Sequence, residues 1–236
     1  MPALDRIAPT GGYTFAAKQE HRDEVWRTFA SHCNPATALV GLMPSWERGT
    51  RNPCPEIETA LALGFQVENL YAIDRNAEIC RKIKARYPRI NILPASLVDA
   101  CRVLAFRQVK LNALNADLCC SAEQARKDFS GIFERGGWCF EPGALVAVTS
   151  ARRDWAKCDS AYAQAGLGLY RYLLDKIPEI KNLFYRSITT FDCVRLWTVY
   201  EVMNTIANFR YIRGGIYQSS GNNKKTTMMW NIFQQA

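Results

Sequence analysis

The sequence predicts an α/β protein whose doubly wound, mostly parallel sheet ends in an antiparallel β-hairpin. Two observations carry this. Apolar strand-like runs alternate with amphipathic helical stretches from Ala36 to about Thr149, the pattern of a parallel sheet covered by helices on both faces. The C-terminal region then changes in kind. Ile206 to Tyr217 and Thr226 to Phe233 read as strands flanking SSGNNKK, whose Gly221-Asn222-Asn223 is a strong turn signal. No internal repeat, low-complexity tract or long Gly/Ser linker divides the chain. One domain over residues 1–236 is therefore expected, with an N-terminal helical extension over 1–35 and a helical insertion over 151–205 before the hairpin.

Each element has its own local signal. Ala16 to Ser31 forms a helix with Val25 and Phe29 on one stripe and charges opposite. The run ATALVGLM, Ala36 to Met43, follows Pro35 as a buried parallel strand should. After the loop PSWERGTRNPCP, Glu56 to Leu63 is helical, with Pro55 suited to its first turn and Gly64 to its end. Leu70 to Ile73 is the next strand and stops at Asp74. Asn76 caps a helix over Ala77 to Tyr87 that Pro88 ends. Ile90 to Leu93 is a third strand. Ser96 opens a helix to about Phe106, with Asp99 making a partial capping box. Leu111 to Ala116 is a strand interrupted by Asn112 and Asn115. Ser121 and Gln124 box the start of a helix that Gly136-Gly137 terminates. Ala144 to Thr149 is the fifth strand, and Ala161 to Lys176 and roughly Asp192 to Met203 read as helices.

Composition narrows the chemistry. Hydrophobic residues at 48% and charged ones at 22% describe an ordinary globular protein, and no run approaches the roughly eighteen apolar residues of a membrane span. MPALDRIAPTGGYTF lacks the basic-then-apolar order of a secretory leader. A cytoplasmic location follows as the expectation. The nine cysteines are scattered and mostly set in apolar patterns, as reduced, buried thiols are. Without a CxxC, and with only His21 and His32, a Cys/His zinc site and a Ser-His-Asp triad are disfavoured. The net charge of +8, in clusters such as Arg81-Lys82 and Lys224-Lys225, favours polyanionic partners, nucleic acid first. A solvated basic surface is the plain alternative.

Five strand–helix units followed by a C-terminal hairpin resemble the class I S-adenosylmethionine-dependent methyltransferases, over roughly Ala36 to Phe233. Their Rossmann-like sheet takes its last strand antiparallel, where a nicotinamide-binding domain would add another parallel unit. The resemblance implies S-adenosylmethionine as cofactor and assigns roles to residues at the strand ends. Asp74, at the carboxyl end of the second strand, would accept hydrogen bonds from the ribose hydroxyls; read by itself it also suits a helix start. Gly41 is the single glycine of the first strand, whose loop, Met43-Pro44-Ser45-Trp46, replaces the family's glycine-rich turn. Divergent members, many carried by phages and mobile elements, are similar in their Pro-containing loop followed by Glu-Ile, as in Glu56-Ile57 here. Glu56 would then meet the cofactor's amino group, or else complement the helix dipole. Ser96 stands where the family contacts adenine, though an N-cap role also explains it.

Asn115-Ala116-Asp117 follows the fourth strand, where members that methylate base amines carry Asn/Asp-Pro-Pro-aromatic. The prolines and the aromatic are missing. Asp117, with Asn115, is still the expected catalytic pair, because a buried unpaired carboxylate is costly. Arg152 and Arg153, with Trp155, are the local candidates for phosphate contacts. Three readings follow: a methyltransferase acting on nucleic acid or another anionic acceptor, a non-catalytic binding or regulatory protein on the same scaffold, and a nucleotide- or NAD-binding enzyme. Methyl transfer needs mainly alignment of donor and acceptor, so the scarcity of histidine does not count against it.

Overall fold

The apolar run after Pro35 becomes a strand only from Val40. The amides of Thr37 and Ala38 turn back to the Asn34 carbonyl, at 3.1 and 2.8 Å, so β1 is the short Val40–Leu42. The structure, a computed structural model, describes residues 15–47, 53–118, 120–134, 137–151, 196, 198–221 and 224–236. The expected helix over Ala161 to Lys176, together with Arg152, Arg153, Trp155 and the tip of the hairpin, lies outside the described residues.

The remaining elements fall close to their sequence signals. Helix α1 spans Phe15–His32 and α2 Pro55–Ala62. Gly64, at φ +91°, closes α2 with a Schellman turn, its own amide bonding the Leu61 carbonyl and that of Phe65 the Ala60 carbonyl. Strand β2 is Leu70–Ile73, α3 Ala77–Arg86, β3 Asn91–Leu93 and α4 Leu97–Phe106. Asn76 accepts from the amides of Glu78 and Ile79, and Ser96 from that of Asp99. Strand β4 is Leu111–Asp117 and α5 is Ala122–Glu134, with Ser121 Oγ accepting from the Gln124 amide. The fifth strand is longer than its apolar run, so β5 covers Phe140–Ala151. A five-residue π-helical turn, Val202–Ile206, precedes the hairpin of β6 (Phe209–Gly221) and β7 (Lys224–Gln235).

All seven strands form one sheet in the order β3-β2-β1-β4-β5-β7-β6. Pairings from β3 across to β5 are parallel, and β7 is antiparallel to both β5 and β6. The doubly wound sheet with a terminal antiparallel pair is therefore as expected. One core packs Val25, Trp26 and Phe29 of α1 with α2 and α3 against one face. The other packs α4, α5 and the residues before β6 against the opposite face.

The two asparagines that break the β4 pattern are both used. Asn112 Oδ1 accepts from the Leu39 amide at 2.8 Å, completing the approach to the short β1. Asn115 is buried and reaches Glu56. Gly41 sits in mid-β1, where a Cβ would lie 2.9 Å from Leu114 Cδ1 and 3.0 Å from Leu111 Cδ1. Gly41→Ala is expected to cost about 1–3 kcal/mol by overpacking, read as a lower denaturation midpoint at unchanged slope.

Candidate functional site

The register of the central strands brings the expected residues to one edge. Leu42 is level with Ala72 on β2 and Asn115 on β4, and the Met43 amide still bonds the Asn115 carbonyl at 3.1 Å. Asp74 directly follows β2 and Asp117 ends β4, with β1 between those two strands. With strands about 4.8 Å apart, the Asp74 and Asp117 backbones are roughly 10 Å apart along the carboxyl edge. That is the crevice where open α/β sheets bind ligands. Of the remaining expected residues, Glu56 joins this edge from α2, and Ser96 stands after β3 as the cap of α4, its hydroxyl bonded to Asp99. Gly41 stays inside the sheet, where the space its side chain would fill is taken by leucines.

Alternation decides the face. Ala113 of β4 and Leu145 and Ala147 of β5 belong to the core beneath α1, so Asn115, Asp117 and Thr149 point toward α1. Helix α1 answers with an inward stripe, Lys18, His21, Arg22, Val25, Trp26 and Phe29, at the 3- and 4-residue spacing of one helix face. Its C-terminal half is apolar core; its N-terminal half is polar and lies over the carboxyl edge.

Arg22 is the centre of a buried network. It is 2% exposed, as is Glu56, and its Nε donates to Glu56 Oε1 at 2.6 Å. Its second arm reaches Glu47 Oε1 at 2.7 Å. Trp26 Nε1 and Asn115 Nδ2 donate to Glu56 Oε2 at 3.4 and 3.3 Å. Burial by itself would ease the proton from Arg22, but the charges and hydrogen bonds of Glu56 and Glu47 outweigh it and raise the guanidinium above its usual range.

Beside this network, Lys18 Nζ lies 3.5 Å from Asp117 Oδ2. His21 Nε2 lies 3.2 Å from Thr149 Oγ1, and its ring stacks on Tyr217 at 5.0 Å and tilts against Trp230 at 5.3 Å. Burial lowers the His21 pKa to about 4; Asp117 opposes this, and Lys18 and Arg22 reinforce it. Asp74 is half-buried, and its carboxyl is raised by that burial against the counter-pull of the Asn76 amide and Arg75. That amide donates to Asp74 Oδ1 at 2.7 Å, and Oδ2 takes no hydrogen bond from the described residues.

Several buried polar atoms at this edge have no hydrogen-bond partner among the described residues: Asn115 Oδ1, Asp117 Oδ1, Ser45 Oγ and His21 Nδ1. Unsatisfied buried acceptors cost free energy in a folded chain, and their gathering at the ligand edge is what a bound molecule with donor groups would relieve. Arg152 and Arg153 lie outside the described residues, and no group of three or more His, Cys, Asp or Glu side chains able to hold a metal occurs among the described ones. Asp117 and Asn115 stand at the strand end that the sequence predicts, but the expectation that the charges of α1 lie opposite Val25 and Phe29 fails for Lys18 and Arg22, which share that buried stripe and pair with Asp117 and Glu56. Their signal, shared with His21, was the helical spacing itself, three basic or ionisable residues on the same stripe as buried Val25, Trp26 and Phe29.

Sheet order, helix placement and the antiparallel β7 are those of the class I S-adenosylmethionine-dependent methyltransferase fold. Magnesium protoporphyrin IX methyltransferase (ChlM) from Synechocystis PCC 6803, solved with bound SAM, is similar with a TM-score of 0.51 at 11% identity, over 98% of this chain and 88% of that one. The putative methyltransferase yhhF from Escherichia coli has a TM-score of 0.49 at 12% identity, over 97% and 89%. The N-methyltransferase NodS from Bradyrhizobium japonicum WM9, solved with S-adenosyl-L-homocysteine, has 0.48 at 11%, over 92% and 86%. No protein-family model matches the sequence, and no curated protein matches it significantly.

Proposed function

We propose that this chain is an S-adenosylmethionine-dependent methyltransferase acting on nucleic acid. The observation that carries the reading is the set of unmet buried acceptors, Asn115 Oδ1 and Asp117 Oδ1, at the carboxyl end of β4, on the sheet edge that also holds Asp74 after β2. These groups fit the cofactor. Asp74 Oδ2 would take a ribose hydroxyl, the Pro44 turn would lie against the methionine arm, and the orphan acceptors would receive donor hydrogens of the ammonium group. The cofactor supplies an electrophilic methyl on sulfur; the chain's part is to hold donor and acceptor in line and exclude water. A net charge of +8 supports a polyanionic acceptor, with Arg152 and Arg153 as proposed phosphate contacts and the cytoplasm as the proposed place of action. No helix among the described residues is long and apolar enough to cross a membrane.

Titration of the purified protein by calorimetry tests this. S-adenosylmethionine and S-adenosylhomocysteine are expected to bind in the micromolar range and NAD not at all, with Asp74→Ala weakening binding by tenfold or more. One observation favours a second reading, a non-catalytic protein on the same scaffold. Both Glu56 oxygens are already engaged, by Arg22, Trp26 and Asn115, so Glu56 has little capacity left for a ligand ammonium. Silence toward all three ligands would decide for it.

A further inference from the structure

Most of the chain's excess charge sits in one place. The fifteen residues from Arg75 to Arg89 hold six basic side chains and one acidic one, +5 of the net +8. They are α3 with the turns on either side of it. Ile79, Cys80 and Ile83 bury one stripe of the helix, so its spacing puts Arg81 on the opposite, outer ridge between Ala77 and Ala85. The carboxylates nearby are each answered by one cation. Lys82 pairs with Glu78, Arg86 with Glu58 of α2, and Arg89 with Glu68. Arg75, exposed in the preceding turn, acts on Asp74 and Asp128. Arg81 and Lys84 are exposed and meet no carboxylate among the described residues; Lys84 Nζ donates only to the Ile90 carbonyl, at 2.8 Å.

The spacing and the surroundings of these cations select their partner. From Arg75 to Arg89 the ridge runs roughly 20 Å, the length that about six phosphates of one duplex strand occupy at about 3.4 Å each. A helix resting on a membrane sets bulky apolar groups beside its cations, and a protein interface is anchored by such groups at its centre. The exposed large apolar side chains, Phe106, Ile206 and Ile216, are all on other elements. Single strands are held by bases stacked on open rings, whereas Trp46 and Tyr87 are half-buried under Lys82 and Arg86. Duplex RNA is gripped largely through its 2′-hydroxyls, and α3 carries no Ser, Thr, Asn or Gln to meet one.

We propose that the outer ridge of α3, from Arg75 through Arg81 and Lys84 to Arg89, is a docking surface for the phosphate backbone of double-stranded DNA. The inference takes nucleic acid as partner from the function proposed above and assigns it a place on the molecule. Ala77 and Ala85 are too short to reach base edges, so the ridge binds without regard to sequence. It begins one residue past Asp74, so a duplex seated on it flanks the crevice and leaves the carboxyl edge open.

Fluorescence anisotropy of a labelled mixed-sequence DNA duplex, titrated with the full chain in the absence of cofactor, tests this. The parent chain is expected to bind in the micromolar range, more weakly as salt rises from about 50 to 200 mM. Arg81→Gln combined with Lys84→Gln is expected to raise the Kd about tenfold and to flatten the slope of log K against log salt by about 1.8, two phosphates at about 0.9 each. The same loss of charge on the opposite face of the sheet, Arg107→Gln combined with Lys127→Gln, is expected to stay within threefold of the parent. A ridge variant no weaker than this control would overturn the proposal. So would tighter binding of an RNA duplex or a single strand than of the DNA duplex, or association with phosphatidylserine vesicles in place of DNA. Binding of S-adenosylmethionine without binding of DNA would sink this inference alone. Binding of DNA through the ridge without binding of S-adenosylmethionine would support it and remove the methyltransferase reading instead.

Discussion

Arg22→Met is expected to destabilise the fold by about 3–5 kcal/mol, because it strands Glu56 in the interior without its cation. Both side chains are 2% exposed and joined at 2.6 Å. The same change frees Glu47 Oε1 from its 2.7 Å contact, but Glu47 is partly exposed and water can replace the guanidinium there. Equilibrium urea denaturation gives the size of the loss. Adding Glu56→Gln should recover most of it, since the amide keeps an oxygen for Trp26 Nε1 or Asn115 Nδ2 and no longer needs a counter-charge. A double variant as unstable as Arg22→Met alone would mean that packing of the arginine stem, not the buried charge, sets the cost.

Acid should weaken the protein through His21. The ring's pKa falls from 6.5 in the unfolded chain to about 4 in the folded one, so between those values the unfolded state binds the extra proton. Stability from this residue is complete above pH 6.5 and is lost as the pH falls toward 4, by roughly 3 kcal/mol in all. The groups that set the value are the enclosing burial, Asp117 on β4, and Lys18 and Arg22 on the same helix. Denaturation midpoints at a series of pH values should fall through this window in the parent chain. His21→Gln should remove most of that slope, and an unchanged slope would assign acid sensitivity to other groups.

Much of the architecture was legible because local chemistry and global packing agree. Leu70–Ile73 is apolar throughout and bounded by polar residues, and Asn76 and Ser96 cap the helices that their sequence positions indicate. Where signals failed, a competing interaction is visible. β1 starts four residues late because Asn34 holds a turn and Asn112 supplies the Leu39 amide with its partner. β5 extends past its apolar run because β4 and β7 pair with its ends. Asp74, Asn115 and Asp117 could be placed from strand ends alone. The ring and cations of α1 share the helical spacing of Val25 and Phe29, but ionisable side chains are rarely buried, so composition argues for the solvent face until Glu56 and Asp117 are seen to pair with them. Glu56 is legible as a carboxylate at a helix start, but nothing local signals that an arginine thirty-four positions earlier holds it.

Helix α1 carries Arg22 to the carboxylates of Glu47 and Glu56, and His21 to Thr149, Tyr217 and Trp230, on adjacent residues. A helix translates as a stiff rod, so neither residue can shift along the groove without dragging the other. Occupancy at one end that reseats the rod would then be felt at the other as a change in affinity, and the coupling must be equal in both directions.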